Sequence, residues 1–327
     1  MLKIHVSLLL IVMSLAANGA GAAGCGAKSN NGAQKPPKNS NAAQTPTPAR
    51  EGENVTGSEM KVLAEGAYSK VQDAFIAVAR DMETYAALRD VVESLPEQSA
   101  DYFEKNLVVA AFLGQRRSGG YGVEIAQASK GHLSVSERTP PKGAMTTQAL
   151  TAPFKIVSIK ISDEGHGIDE APAIVEADAV WQRAMRAYRV ASGDFKTGGG
   201  FAGRFENLKL EGELRAMRYG KLATVFFNLK GTGGAKARAL TETATGIVQD
   251  GGSITLPRLD PNSLVDVPRG ALRASGRLTE NESKLSLSFE SLPTIVADGF
   301  GGAGKLEAVA TTPAPAKKSA SNSEEPM

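Results

Sequence analysis

Apolar and polar positions alternate with two different periods along this chain, and a third kind of stretch does not alternate at all. Leu107–Leu113 (LVVAAFL) carries no polar residue, is short and is rich in branched side chains. That suits a strand buried on both faces better than a surface helix. The stretch continues as GQRRSGGYGVEI to Ile125. Gly119 and Gly120 tolerate backbone conformations that a β-carbon resists. Beyond them Tyr121, Val123 and Ile125 fall on one side and Gly122 and Glu124 on the other, the period of a half-buried strand. The pattern predicts a central strand, a tight exposed turn carrying Arg116, Arg117 and Ser118, and a strand returning beside the first.

Upstream, Val62–Glu65 and Phe75–Ala79 read as two short strands. Asp81 is placed to cap a helix on which Tyr85, Leu88 and Val92 form one apolar face, with Pro96 closing it. Downstream come a strand around Leu133–Glu137, the loop RTPPKGAM and a strand over Phe154–Ile161. In that last strand Phe154 and Ile156 share one parity and Ile159 and Ile161 the other, so a bulge near Val157 or Ser158 is expected. The acidic, glycine-containing stretch from Ser162 to Pro172 reads as a hinge. Pro172 can then open a helix with Trp181, Met185 and Tyr188 on one side. Beyond Val190 strand alternation returns, as at Leu208, Leu210 and Leu214 and again at Leu285, Leu287 and Phe289. Glu280–Ser283 reads as a hairpin turn.

The expectation is a mainly β (α+β) chain with two β-rich domains. The first, residues 58–162, is a small antiparallel sheet or sandwich with one packed helix. Residues 163–189 form a linker with a helix, and residues 190–311 form a second β-domain, expected to be a β-sandwich. The ends differ in composition. Residues 25–57 are rich in Asn, Gln, Pro, Lys, Ala and Thr and residues 312–327 are similarly polar, so both are expected to be disordered, the first as a tether and the second as a tail.

Composition removes several function classes. Lys and Arg number 37 against 35 Asp and Glu, far from the concentrated basic face that nucleic acid requires. Three His and one Cys leave little material for a metal site or a redox pair, and neither a metal nor a cofactor is expected. The lone Cys25 gains meaning from its place. A short basic start (Lys3, His5), an apolar segment over Val6–Ala17 and the small residues Ala22, Ala23 and Gly24 precede it. This resembles a bacterial lipobox, in which the Cys takes a diacylglycerol and becomes the mature N-terminus after a signal peptide of residues 1–24. Ala22 departs from the Leu, Val or Ile usual there, and an ordinary secretory signal cut after Ala22 is the competing reading. Gly26 is not the Asp that retains many lipoproteins at the inner membrane. The expected location is therefore the bacterial cell envelope, lipid-anchored, at the outer membrane.

Glycine-rich segments suggest chemistry only superficially. GFGGAGKL (Gly299–Leu306) nearly spells a phosphate loop but ends in Leu306 instead of a hydroxyl, and strand alternation follows where a helix is needed. Gly198–Gly203 contains GxGxxG in the same glycine-rich context. Turns explain both better. His132 at a strand start and His166 in the hinge lie outside metal-ligand spacing, and Ser118 has no base near it in sequence.

Two sets of residues carry a family resemblance. LVVAAFLGQRRSGGYGVEI (Leu107–Ile125), VSERTPPKGAMTTQALTAPF (Val135–Phe154) and the following KIVSIK resemble the C-terminal domain of the PrcB family of bacterial envelope proteins. The family pattern has an apolar strand ending in Phe-Leu-Gly-Gln, a Thr-Gly-Gly-Tyr turn, a Pro-Gly loop and a closing Pro-Phe strand. Ser118 replaces the usual Thr, and Gly122 stands where Ser is common. The resemblance implies an accessory lipoprotein without catalytic chemistry, associated with a secreted protease complex. On this reading the partner-binding residues are Arg116, Arg117, Ser118, Gly119, Gly120, Tyr121, Pro140 and Pro141. Arg116 and Arg117 would anchor a partner's acidic rim and Tyr121 would supply an aromatic contact; a solvated basic turn is the plainer alternative. The partners implied are a secreted or envelope protein and the membrane, with no small-molecule substrate. A second likeness is to the chagasin-type protease inhibitors, with Ser118–Tyr121 as the central loop, although no Arg-Pro-Trp-like segment occurs, since the lone Trp181 follows Val180. A purely structural envelope lipoprotein is the third reading.

Overall fold

A computed structural model describes residues 60–129, 131–161, 173–198, 206–234, 238–259, 272–279, 281–291 and 301–311, all within one unit, Asn54–Met327. The signal segment with Cys25, the tether, the hinge with His166 and Pro172, Gly199–Gly203 and the tail lie outside the described residues. In chain order the elements begin β1 (Met60–Gly66), β2 (Phe75–Ala79), α1 (Met82–Val91), α2 (Tyr102–Lys105), β3 (Asn106–Phe112) and β4 (Gly122–Ser129). They continue with β5 (His132–Arg138), β6 (Phe154–Lys160), β7 (Ile174–Ala177) and α3 (Ala179–Ala184). Eight strands complete the chain: β8 (Arg186–Gly198), β9 (Glu206–Tyr219), β10 (Leu222–Thr232), β11 (Arg238–Val248), β12 (Ser253–Leu259), β13 (Leu272–Leu278), β14 (Lys284–Ser291) and β15 (Gly301–Ala310).

The chain is mainly β, as its alternation predicts. β3 is the middle of a four-stranded antiparallel sheet ordered β1-β6-β3-β2, and Leu107–Phe112 are all buried. Asp81 caps α1 as expected, its Oδ1 accepting from the Thr84 N–H at 2.7 Å. Tyr85, Leu88 and Val92 are buried on the inner side of this segment. The helix closes at Val92, whose N–H bonds Leu88 O, before Pro96 is reached.

Two local expectations fail because of what surrounds the strands, at the edges of β3 and on the faces of β6. Since β2 and β6 occupy those edges, the chain cannot return beside β3. β4 instead starts a second sheet, ordered β4-β5-β7, in which β7 runs parallel to β5. The Arg116–Tyr121 stretch is therefore a crossover between two sheets and not a hairpin turn. Likewise β6 carries no bulge: its ladder with β3 is regular from Asn106↔Lys160 to Phe112↔Phe154. Ile156, Val157, Ser158 and Ile159 are all buried because the strand is covered on both faces, so its mixed parity needs no correction. The irregularity sits in the partner strand, between Val62 and Ala64 of β1.

From β8 to β15 each strand pairs antiparallel with the next, and β15 closes on β8. This is an eight-stranded up-and-down barrel, not the sandwich expected from the strand pattern. Its interior is filled. Phe289 lies 6.3 Å from both Phe195 and Phe227, among Leu208, Leu214 and Leu229. Gly299 lies outside the described residues; Gly301, Gly302 and Gly304 belong to β15, and a Cβ on Gly302 or Gly304 would strike the Phe195 ring. They are strand residues that let an aromatic ring approach, and form neither a phosphate loop nor a turn.

The expected linker helix is shorter than its pattern suggests. α3 ends at Met185, and Tyr188 already belongs to β8. Trp181 is fully buried and its Nε1–H donates to Phe112 O at 2.9 Å, tying α3 to β3.

The barrel's outer wall covers the open edges of both sheets on one side. Val78 N–H donates to Thr245 Oγ1 at 2.7 Å, Thr224 Oγ1 donates to Ile76 O at 2.6 Å, and Ile76 N–H points at Met217 Sδ at 3.3 Å. On β7, Val175 N–H donates to Thr243 Oγ1 at 3.2 Å. Beside this seam Arg80 reaches Glu242 at 2.8 Å, with both side chains almost wholly buried. Glu242 shares its side of β11 with Leu240 and Ala244 of the barrel core, so this pair links the end of β2 to the barrel. Breaking one partner strands the other charge in a dry environment. Arg80→Ala should therefore lower the unfolding free energy by about 3–5 kcal/mol, read by urea denaturation with Trp181 fluorescence; a loss within about 0.5 kcal/mol, as for an ordinary surface change, would show that the pair is not a joint.

Candidate functional site

At the start of β4 and the end of β5, loops from three parts of the chain are laced together by main-chain bonds. Gly114 has φ +76°, and a side chain there would collide with Gln72 O at 2.8 Å. Gln115 N–H donates to that same oxygen at 2.8 Å. Arg116 and Thr151 exchange both backbone bonds, at 2.7 and 2.9 Å, and Thr151 Oγ1 donates to Ser118 O at 2.9 Å. Gly119 N–H donates to Thr147 O at 2.8 Å, and Ala152 N–H to Ala67 O at 2.8 Å. Gly120, at φ +86°, lies under Pro140: a Cβ would sit 2.9 Å from Pro140 Cβ. Only glycine fits both that conformation and that approach. The loop around Arg116–Tyr121 and the loop from Thr139 to Ala152 therefore form one bound platform.

This platform carries the eight residues from Arg116 to Tyr121 and at Pro140 and Pro141 that the resemblance suggested as partner-binding. Arg117, Gly120 and Pro141 are exposed, while Arg116, Ser118, Gly119, Tyr121 and Pro140 are half-buried. The two arginines divide sharply. Arg116 Nε–H donates to Glu137 Oε1 at 2.9 Å, and its guanidinium lies 5.8 Å from the centre of the Tyr121 ring. It is spent on holding β5 and Tyr121 in place, which leaves Arg117 to face solvent. Ser118 has no histidine beside it, since His132 is at the opposite end of the β4–β5 ladder. Among the described residues, no three His, Cys, Asp or Glu side chains converge as metal ligands. Trp181, buried and bonded to Phe112 O, is not part of this platform.

Three side chains at this end were not flagged by pattern. Met145 is fully exposed, Tyr68 is 67% exposed and Leu150 is 61% exposed. Met145 and Leu150 belong to the Thr139–Ala152 loop, and Tyr68 adjoins Ala67, which is bonded to Ala152. The signal available was large apolar residues inside glycine-, proline- and threonine-rich loops, where chain entropy and solvent both disfavour them. Beside the platform runs a groove of about 470 Å³ between Gly122–Ala126 of β4 and the Glu65–Ala67 and Phe154–Lys155 segments, with Tyr121 and Arg138 at its border.

The groove's β4 wall and most of the platform fall within one matched segment. Residues 107–160 match the family model described as PrcB C-terminal. That span begins in β3 and ends with β6, so the PrcB-like module crosses both sheets and includes both main loops. It is well under half of the chain. Neither the curated proteins nor the solved structures compared with the chain gave a match.

The different environments of the two arginines make a direct test. Arg116→Glu places a carboxylate against Glu137 and should cost about 1–3 kcal/mol of stability, whereas Arg117→Glu should stay within about 0.5 kcal/mol. Thermal or denaturant unfolding of the two variants side by side reads this difference, and equal effects would contradict the assignment.

Proposed function

We propose that the chain is a non-enzymatic accessory protein of the cell envelope that docks on an exported partner through the PrcB-like platform. The observation supporting this is a rigid loop cluster carrying Tyr68, Met145 and Leu150 in the open, next to the exposed Arg117. Exposed apolar groups on a held backbone lose little further entropy on binding and gain burial when covered. A basic residue at their rim favours an acidic counterpart and steers its approach. Arg117 rather than Arg116 fills that role, because the ion pair with Glu137 occupies the latter. The PrcB resemblance makes a secreted protease or protease complex the class of partner, with the chain stabilising rather than processing it. A lipid on Cys25, followed by the polar stretch of residues 26–57, would hold the folded part near the membrane while letting it search.

The experiment is crosslinking and affinity capture of the full chain from its own membranes, wild type against Met145→Asp/Leu150→Asp. Because both side chains are exposed, the double variant should keep its melting temperature and lose the stoichiometric partner. Undiminished capture would remove the platform as the contact surface. Labelled palmitate should enter the wild-type chain and not Cys25→Ala; absence of label in both would remove the anchor.

A further inference from the structure

The small and large sheets of the amino-terminal half have four outer edges, formed by β1, β2, β4 and β7. Two of them are occupied. The barrel's Thr245, Thr224 and Met217 meet β2, and its Thr243 meets β7. Among the described residues no strand pairs with the outer edges of β1 and β4, and both strands contribute to the groove. An open strand edge presents a row of main-chain donors and acceptors, and proteins usually blunt such edges with bulges, charges or short length. β1 is blunted, with a register break between Val62 and Ala64 and Lys61 beside it. β4 has its own register break only at its far end, between Gln127 and Ser129, and stays in regular register with β5 from Gly122 to Gln127, the stretch beside the groove. Its inward side chains, Val123 and Ile125, are buried in the core, so its edge is held firmly.

The charges around this edge are unequal. Arg116 pairs with Glu137, and Lys155 with Glu65 at 3.4 Å. Arg138 and Glu124 line the groove and are exposed, and Arg117 and Lys142 are exposed in the two adjoining loops. The Arg138 guanidinium lies across Gly122, where a Cβ would be 2.8 Å from its Nη2. A glycine at this point lets the cation lie flat at the mouth of the groove.

We propose that the free edge of β4 takes an extended, acidic segment of the partner polypeptide as an added strand, with Arg138, Arg117 and Lys142 facing its carboxylates. This rests on the docking reading above and specifies its chemistry. Main-chain bonds along Gly122–Gln127 supply affinity that is indifferent to sequence, and the cations supply the selection.

The test uses the full chain and two synthetic peptides of about ten residues, the length of a long strand. Both alternate valine with a charged residue, glutamate in one and lysine in the other. Binding is followed by titration and by amide-resolved hydrogen exchange. The glutamate peptide should bind at least about tenfold more tightly than the lysine peptide, a difference of about 1.4 kcal/mol, and should slow every second amide between Gly122 and Gln127. Arg138→Glu should remove that preference without altering exchange in the free protein. The proposal is overturned if the glutamate peptide does not bind, if it binds while the β4 amides exchange as before, or if those amides are protected by protein concentration alone, which would indicate a second copy on the edge. Failure here with capture still lost in Met145→Asp/Leu150→Asp leaves the platform as a docking surface and removes only the added strand. Retained capture in that variant, with β4 protected by peptide, does the reverse.

Discussion

Edge strands must find partners for their outward main-chain groups, and the arrangement of this protein follows from how that need is met. A buried N–H or C=O without a partner is costly, commonly about 1–3 kcal/mol. β2 lies deep in the molecule, with all five residues buried, so water cannot serve its outer edge. The barrel serves it with side chains. Thr224 and Thr245, themselves within 2.8 Å of each other, stand on the outer faces of β10 and β11 and reach Ile76 O and Val78 N. This explains why threonines, buried at 0–1% exposure, sit on a barrel wall where the surface pattern would ordinarily place solvated residues. Leu222 and Met217 from the same wall join the core of the sheets, so the seam is apolar with a few placed hydroxyls. The Arg80–Glu242 pair adds little by its own attraction at such depth, but it makes any other docking of the two halves expensive.

With one side of the sheets committed to the barrel, the opposite end carries the exposed features. The family-matched span, 107–160, contains the crossover loop, the proline loop and β4. The barrel interior is packed with phenylalanines and leucines, which gives it the character of a brace rather than a container. Function is therefore argued from the platform, where apolar side chains remain uncovered.

The sequence made local features legible and long-range ones much less so. β2 was read to its limits, β3 was recognised from its unbroken apolar run, and Asp81 was recognised as a cap, because each depends on neighbours within a few residues. The hairpin expected between β3 and β4 failed because it depended on whether the edge of β3 was vacant, and the occupants are β2 and β6, distant in sequence. The bulge expected in β6 failed similarly: mixed parity has two solutions, a slip or cover on both faces, and only the layers above and below decide. Alternation in β8–β15 was visible, yet a sandwich and a barrel share it. The difference lies in the pairing of β15 with β8, about a hundred residues apart. At the site, composition drew attention to the right loops, but Arg116 and Arg117 look alike in sequence. Their roles separate through Glu137 and Tyr121, which the fold brings to Arg116 alone.

The contrast between the two remaining edges can be pressed further. β1 and β4 both border the groove and each has one register break, but in β1 it falls mid-strand, between Val62 and Ala64, while in β4 it falls past Gln127 and leaves Gly122–Gln127 straight, with one exposed carboxylate, Glu124. If edge protection were the sole constraint, the stretch of β4 beside the groove would be broken as β1 is, since an unguarded strand invites unwanted pairing. The regular edge is moreover the one inside the family-matched span and beside the rigid platform. A regular edge on a fixed backbone, bordered by exposed arginines, is costly to leave idle and well suited to selective pairing. The bulge in β1 then has a complementary effect: it disfavours pairing on the opposite wall, so that an incoming strand meets one template rather than two.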